Sequence, residues 1–159
     1  MITRELITYV GGFFMDKQEF MARVEEAYDT FEMKPENIFM FKMLDFKFDY
    51  DEEAKTCTIT CPVTDIMYNP AGIVHGGIFT FIADTAMGHL NFRLKDAPYV
   101  SLELKTSFFK ATTTGTLIAT ARYVKEGYKV CFMEAEVKNE EGELLCRTSG
   151  TFYRFDKKK

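Results

Sequence analysis

Apolar and polar positions along the chain change period several times, and each change marks an element. From Asp16 the pattern is helical: Phe20, Val24, Ala27, Tyr28 and Phe31 recur at three- and four-residue spacing, with acidic residues on the remaining face. Asp16 stands where an N-cap belongs and Glu19 three residues on, so the spacing predicts an amphipathic helix packed over a sheet edge. The stretch from about Phe39 to Tyr50 then reads as a strand, with Phe46 and Phe48 alternating with Lys47 and Asp49. A second strand runs from about Lys55 to Val63, where Cys57, Ile59, Cys61 and Val63 alternate with threonines. The acidic run from Asp49 to Glu53 between them is a hairpin turn.

Turn chemistry takes over at Asn69, where Asn-Pro and the glycines at 72, 76 and 77 punctuate the backbone. From Gly76 to about Arg93 the chain is helix-length and apolar on more than one face, which predicts a helix wrapped by the rest of the chain. After the turn at 95–98 four consecutive strands follow: Tyr99 to Lys110, Thr116 to Lys125, Lys129 to Lys138, and Glu143 to Phe155. Glu126-Gly127 and the Asn139 to Gly142 segment supply tight hairpins. Two strands, a long helix and a four-strand meander give an α+β class, one helix against an antiparallel sheet. Residues 1 to 15 read as an extra strand or a hydrophobic arm, since Gly11-Gly12 argues against a continuous helix. The organisation expected is an arm and helix over 1–35, the main domain over 36–156 and a basic tail at 157–159.

Composition narrows the function classes. The 159 residues, 47% hydrophobic and 15% aromatic, suffice for one substantial core. A net charge of −4 gives no case for nucleic acid as a partner. No run reaches membrane-spanning length and the opening residues lack a signal peptide's apolar region, so a cytoplasmic protein that does not enter the membrane is expected. Cys57, Cys61, Cys131 and Cys146 fall at strand-like positions without metal-ligand spacing, which reads as reduced core thiols and no metal.

One residue breaks the apolar run. Between Asp65 and Arg93, histidines aside, Asp84 is the only formally charged side chain. Its helix neighbours Thr80, Phe81, Met87 and Gly88 cannot neutralise it, and burial raises a carboxyl pKa, which suits a base or a nucleophile. A carboxylate that caps a loop or pairs with a strand cation is the alternative. At the helix start, backbone N–H groups without helical partners, flanked by glycines, make an oxyanion pocket. Asp84 lies eight residues further on, roughly 12 Å away at helical rise. One small reacting group meets both only if a second chain contributes its helix antiparallel. Taken alone, His75 orients the turn, Asn69 is a turn residue and His89 is a satisfied core histidine.

Asn69, Gly72, His75-Gly76-Gly77, Asp84 nine residues after the histidine, and Ala86 together resemble the signature of hotdog-fold acyl-CoA thioesterases. The group is the phenylacetic-acid-degradation type of the 4-hydroxybenzoyl-CoA thioesterase superfamily, and the resemblance runs to about Phe155. It implies the hotdog fold, a sheet curled around the central helix, and hydrolysis of an aryl- or medium-chain acyl-CoA. Asp84 would be nucleophile or general base, and the Gly76 or Gly77 N–H would polarise the thioester carbonyl. Asn69 would orient the water or the carbonyl, and His75 would hold the loop. Related enzymes also place a Ser or Thr near the start of the following strand, which here is Ser101. By alternation, however, Ser101 shares a face with Glu103 and Lys105, open to solvent. Phe79, Phe81, Ile82 and Met87 would line the acyl site between paired helices. No cofactor is implied beyond the coenzyme A of the substrate, and none of Lys105, Lys110, Arg122, Lys129, Arg147 and Arg154 is assigned to its phosphates. The resemblance further implies a homodimer with shared sites, assembled as a dimer of dimers. Two other readings on this fold are a non-catalytic acyl-CoA-binding protein and a hydratase or dehydratase.

Overall fold

Six antiparallel strands, in the order β1-β2-β4-β5-β6-β3, curl around one 19-residue helix. The computed structural model describes residues 15–155, so the readings made for the first 14 residues and for the basic tail lie outside the described residues.

The first helix among the described residues, α1 (Lys17–Thr30), begins as its sequence predicts: the Asp16 carboxylate accepts from the Glu19 N–H at 2.8 Å. Its buried face is narrower than the apolar pattern suggested. Ala27 is buried, while Tyr28 is 67% exposed. The helix packs on a second, short helix, α2 (Phe39–Met43), in place of the sheet edge expected from the sequence.

That short helix corrects the strand expected from Phe39. The run from Ile38 to Leu44 has no alternation to lose, and Phe41, Met43, Leu44 and Phe46 are all buried once the chain turns. Period alone does not separate a short buried helix from a buried strand. Asp45 at φ 52° and a Phe46 N–H to Phe41 carbonyl bond of 2.9 Å close the turn. The strand β1 (Lys47–Asp51) starts only there and pairs with β2 (Thr56–Pro62), setting Phe48 opposite Ile59. The alternation in β2 holds, with Cys57, Ile59 and Cys61 inward.

The long helix, α3 (Gly76–Leu94), ends one residue beyond the sequence estimate. Four strands follow, β3 (Tyr99–Phe108), β4 (Thr116–Lys125), β5 (Val130–Lys138) and β6 (Leu144–Arg154), close to the expected bounds. They are not a four-strand meander. β4, β5 and β6 pair in sequence, but β3 pairs with β6 at the far edge, so the 109–115 connection must carry the chain from that edge to the middle of the sheet. No two-residue turn separates β3 from β4, which is why they are not a hairpin. The connection passes the helix start, where the Val74 N–H donates to the Thr112 carbonyl at 3.0 Å.

Small residues let the helix approach the sheet. Ala119, Ala121 and Ala135 are fully buried on its inner face, and a Cβ on Gly150 would stand 3.1 Å from Met87 Cε. The four cysteines are free and buried, and burial pushes the Cys57, Cys61 and Cys146 thiols up to about 12. All four are core side chains, and those three carry no reactive thiolate at neutral pH. No helix among the described residues is long and apolar enough to cross a membrane. Among the same residues there is no cluster of three or more metal-ligating side chains.

Candidate active site

The loop before α3 is built on Asn69. Its N–H donates to the Ile73 carbonyl at 2.9 Å, and its side-chain oxygen accepts from the Ala71 N–H at 2.9 Å and the Ile73 N–H at 3.5 Å. Gly72, at φ 74°, closes the turn by donating to the Asn69 carbonyl at 2.9 Å. The turn thus takes up the side-chain carbonyl of Asn69 and leaves its NH2 group as the part that can meet a ligand.

His75 caps the helix. Its backbone N–H donates to the Met67 carbonyl at 2.8 Å, and its Nδ1 accepts from the Gly77 N–H at 2.8 Å. A ring that accepts at Nδ1 carries its neutral-form proton on Nε2. The Ile78 N–H donates back to the His75 carbonyl at 2.9 Å. Of the first donors of α3, therefore, the Gly76 N–H is the one with no acceptor among the described residues. The sequence left Gly76 and Gly77 as equal candidates for an oxyanion donor; the cap occupies Gly77 and leaves Gly76 open.

That open donor borders a cleft of ≈ 380 Å³ lined by Asn69, Ile73, Val74, Gly76, Phe79, Phe108, Phe109, Lys110 and Ala111. A Cβ on Gly76 would stand 3.0 Å from Phe108 Cζ, so the absence of a side chain is what lets this ring lie against the helix start. Phe79 is the residue of the expected acyl lining found here, 6.3 Å from Phe108 between ring centres.

Asp84 lies two turns further along α3, half-buried. Burial raises its carboxyl pKa, and a hydrogen bond from Ser101 pulls the other way. Ser101, though exposed, therefore does not share the face of Glu103 and Lys105. It pairs with Phe152, while Glu103 pairs with Thr151, so Leu102 is the extra residue of a β-bulge. Leu104 and Thr106 lie opposite Gly150 and Thr148 on the helix side, and the bulge returns Ser101 to that same side.

The remaining expected lining residues face elsewhere. Ile82 and Met87 are 0% exposed in the core and do not border a cleft. A helix apolar all round does not reveal which of its faces meets the sheet. Phe81 is half-buried against Phe41 and Phe46, at 6.1 and 5.7 Å between ring centres. His89 is the core histidine expected: it stacks on Phe48 at 4.2 Å, its Nδ1 lies 2.9 Å from the Tyr50 hydroxyl, and burial lowers its pKa to about 4. Among the basic side chains weighed for phosphates, Lys110 borders the cleft, while Arg122, Arg147 and Arg154 pair with Glu134, Glu136 and Asp96. The sequence reading missed Phe108 and Phe109 as cleft residues. Their signal was two adjacent aromatics at a strand end, where only one can point into the fold.

Known proteins are similar to this chain in sequence and fold. Residues 71–146 match the family model of the thioesterase superfamily. A candidate esterase of Deinococcus radiodurans is 34% identical over 101 residues, which cover 62% of this chain and 68% of that protein. Among solved structures, a candidate thioesterase of Ralstonia eutropha related to phenylacetic acid degradation is 27% identical, with a TM-score of 0.66 over 72% of this chain and 88% of that one. A Bacillus halodurans protein solved with CoA shares the fold at a TM-score of 0.79, over 91% of this chain and 97% of that one, at 21% identity. The chain belongs to the thioesterase superfamily of thioester hydrolases and carries the hotdog fold.

Proposed function

We propose that the chain hydrolyses the thioester of an acyl-CoA to the free acid and CoA, with Asp84 as general base or nucleophile and the Gly76 N–H as oxyanion donor. The observation that carries this reading is a Gly76 N–H without a partner among the described residues, at the edge of an apolar cleft and on the same helix as a carboxylate whose pKa burial raises. As a base, Asp84 takes a proton from water as the water oxygen bonds to the thioester carbon. The carbonyl oxygen gains charge and accepts from the Gly76 N–H, a contribution of about 3–4 kcal/mol for one good donor. Collapse expels the CoA thiolate, which takes up a proton. As a nucleophile, the Asp84 carboxylate itself bonds to that carbon, the C–S bond breaks to release the CoA thiolate, and water then cleaves the mixed anhydride to the free acid and the restored carboxylate. The Ser101 hydroxyl steadies the carboxylate in either course.

Gly76 and Asp84 of one chain are about 12 Å apart at helical rise, too far for one thioester. The site is therefore shared by two copies, Asp84 of one beside the helix start of the other. The β3 edge supports pairing: it has a strand neighbour on one side only among the described residues, and Leu102 and Phe108 on it are 63% and 56% exposed. A long apolar edge of this kind is stable in water when a partner covers it. Two such dimers form the tetramer. The cleft volume and the rings of Phe79, Phe108 and Phe109 favour an aryl or medium acyl group, and the reduced thiols suit a cytoplasmic setting. CoA enters as part of the substrate, with no further cofactor.

Thiol release across aryl, short, medium and long acyl-CoAs tests the reading. Release that peaks with aryl or medium chains is the result expected. Binding of acyl-CoA without release from any of them would instead make the chain a binding protein on the same fold.

A further inference from the structure

Three threonines join the central helix to the edge strand β3 and to its neighbour β6. Thr80 Oγ1 lies 3.3 Å from the Gly76 carbonyl and 3.1 Å from Thr106 Oγ1, and Thr106 Oγ1 lies 2.9 Å from Thr148 Oγ1. Thr148 is fully buried. Each hydroxyl has one proton, and among the described residues the only acceptor that these three hydroxyls meet, other than one another, is the Gly76 carbonyl. All three protons are used only if Thr148 donates to Thr106, Thr106 to Thr80 and Thr80 to Gly76. The opposite direction would leave the buried Thr148 proton without an acceptor, which is the costly arrangement.

The residue type at these positions is itself informative. Thr106 and Thr148 occupy inward strand positions among Leu104, Gly150, Phe152 and Cys146. Valine would fill the same volume there without a polar group to desolvate. The hydroxyls are explained by the bonds they make. Those bonds fall midway along a three-rung contact between α3 and β3: Gly76 against Phe108, Thr80 against Thr106, and Asp84 against Ser101. Positions 76, 80 and 84 are one helical turn apart on one stripe.

We infer that Thr80, Thr106 and Thr148 form a one-way hydroxyl relay that fixes the helix start and the Asp84–Ser101 pair at one spacing along the edge strand, making them positioning residues. The inference rests on the thioesterase reading for its kinetic consequence and on geometry alone for the relay itself. The relay touches no substrate. It holds α3 and β3 in register so that both halves of the site present their reacting groups in alignment, and misplacement by a fraction of an ångström lowers the rate more than the binding.

The test uses Thr106→Val, Thr148→Val and Thr106→Ser in the full chain, with kcat and KM for an acyl-CoA, thermal midpoints, and NMR of threonine hydroxyl protons and the Gly76 amide. Each valine variant should lower kcat about tenfold, the effect of roughly one lost hydrogen bond on alignment, with KM changed less than twofold. Thr106→Ser should keep kcat near wild type. The wild-type Thr106 hydroxyl proton should be visible in slow exchange, and the Gly76 amide resonance should move in both valine variants. A serine variant as slow as the valine one would overturn the relay, since lost methyl contact would then be the cause. Unchanged kcat and an unmoved Gly76 resonance in both valine variants would overturn it as well. If the wild type hydrolyses no acyl-CoA, the functional reading fails on its own, and the hydroxyl and Gly76 resonances still decide the relay.

Discussion

Ser101 meets Asp84 because Leu102 is the extra residue of a β-bulge. Without the inserted residue, alternation along β3 would place the Ser101 hydroxyl on the face of Glu103 and Lys105, away from the helix. The bulge re-aims one side chain at the one carboxylate of the central helix, a use to which bulges near sites are often put.

Removing that hydroxyl has a signed consequence. Burial raises the Asp84 pKa and Ser101 lowers it, so Ser101→Ala leaves burial unopposed. If Asp84 works as the carboxylate, the acid limb of kcat/KM should move to higher pH in the variant. A profile superimposable on wild type would separate Ser101 from Asp84 in function.

The same burial costs stability. A carboxyl whose folded pKa lies above its unfolded value near 3.8 binds its proton more tightly when folded, so the penalty is absent below that pH and grows as pH rises through the folded pKa. Asp84→Asn should therefore melt at a higher temperature than wild type at pH 7, with the gap closing toward pH 4. Thermal scans over that range check it, and a lower midpoint at pH 7 would mean that Asp84 makes a stabilising contact.

Much of this arrangement was legible in the chain. The Asp16 cap, the turn at Asn69, the helix from Gly76 and the alternation of β2 follow from local chemistry, and local chemistry decides them. The misreadings all lie where distant contacts decide. The run from Phe39 has no period to betray a helix. The place of β3 beside β6 depends on a connection whose path no local signal encodes. An inserted residue such as Leu102 is invisible to a strict count of two, so alternation alone puts Ser101 on the wrong face. Ile82 and Met87 looked available for a ligand because a helix apolar on every side does not show which face the sheet covers.

His89 makes a separate prediction about acid. Its pKa falls from 6.5 to about 4, chiefly because burial among Phe41, Phe48 and Tyr50 disfavours the charged ring, while Glu36 opposes the shift. The unfolded chain takes up a proton at this residue first as pH falls, so stability is lost between pH 6.5 and 4. The loss is on the order of 2 kcal/mol, at about 1.4 kcal/mol per pKa unit discounted for partial solvent access. His89→Phe keeps the ring stack and should flatten the stability curve across that window in urea titrations. An equally steep curve in the variant would place the acid sensitivity elsewhere.

Sharing of the site between two copies is open to a mixing experiment. Asp84→Asn chains and Gly76→Pro chains, the latter lacking the donor N–H at a first helical position that tolerates proline, should each be inactive. Mixed after subunit exchange, half the dimers pair the two kinds, and one of the two sites in each combines intact halves. Activity should recover to about a quarter of wild type for a two-fold symmetric dimer. No recovery, with exchange verified by mass spectrometry, would assign Asp84 and Gly76 to the same chain's site or to none.

The central claim is that Asp84 carries thioester hydrolysis, and the most direct measurement is thiol release by wild type and by Asp84→Asn under saturating aryl- or medium-chain acyl-CoA, with folding of the variant verified by its thermal midpoint. The account predicts release by wild type and a fall of at least about a hundredfold in kcat for the folded variant, in line with the loss of a general base or nucleophile. Release within a few-fold of wild type from a folded Asp84→Asn protein would contradict it.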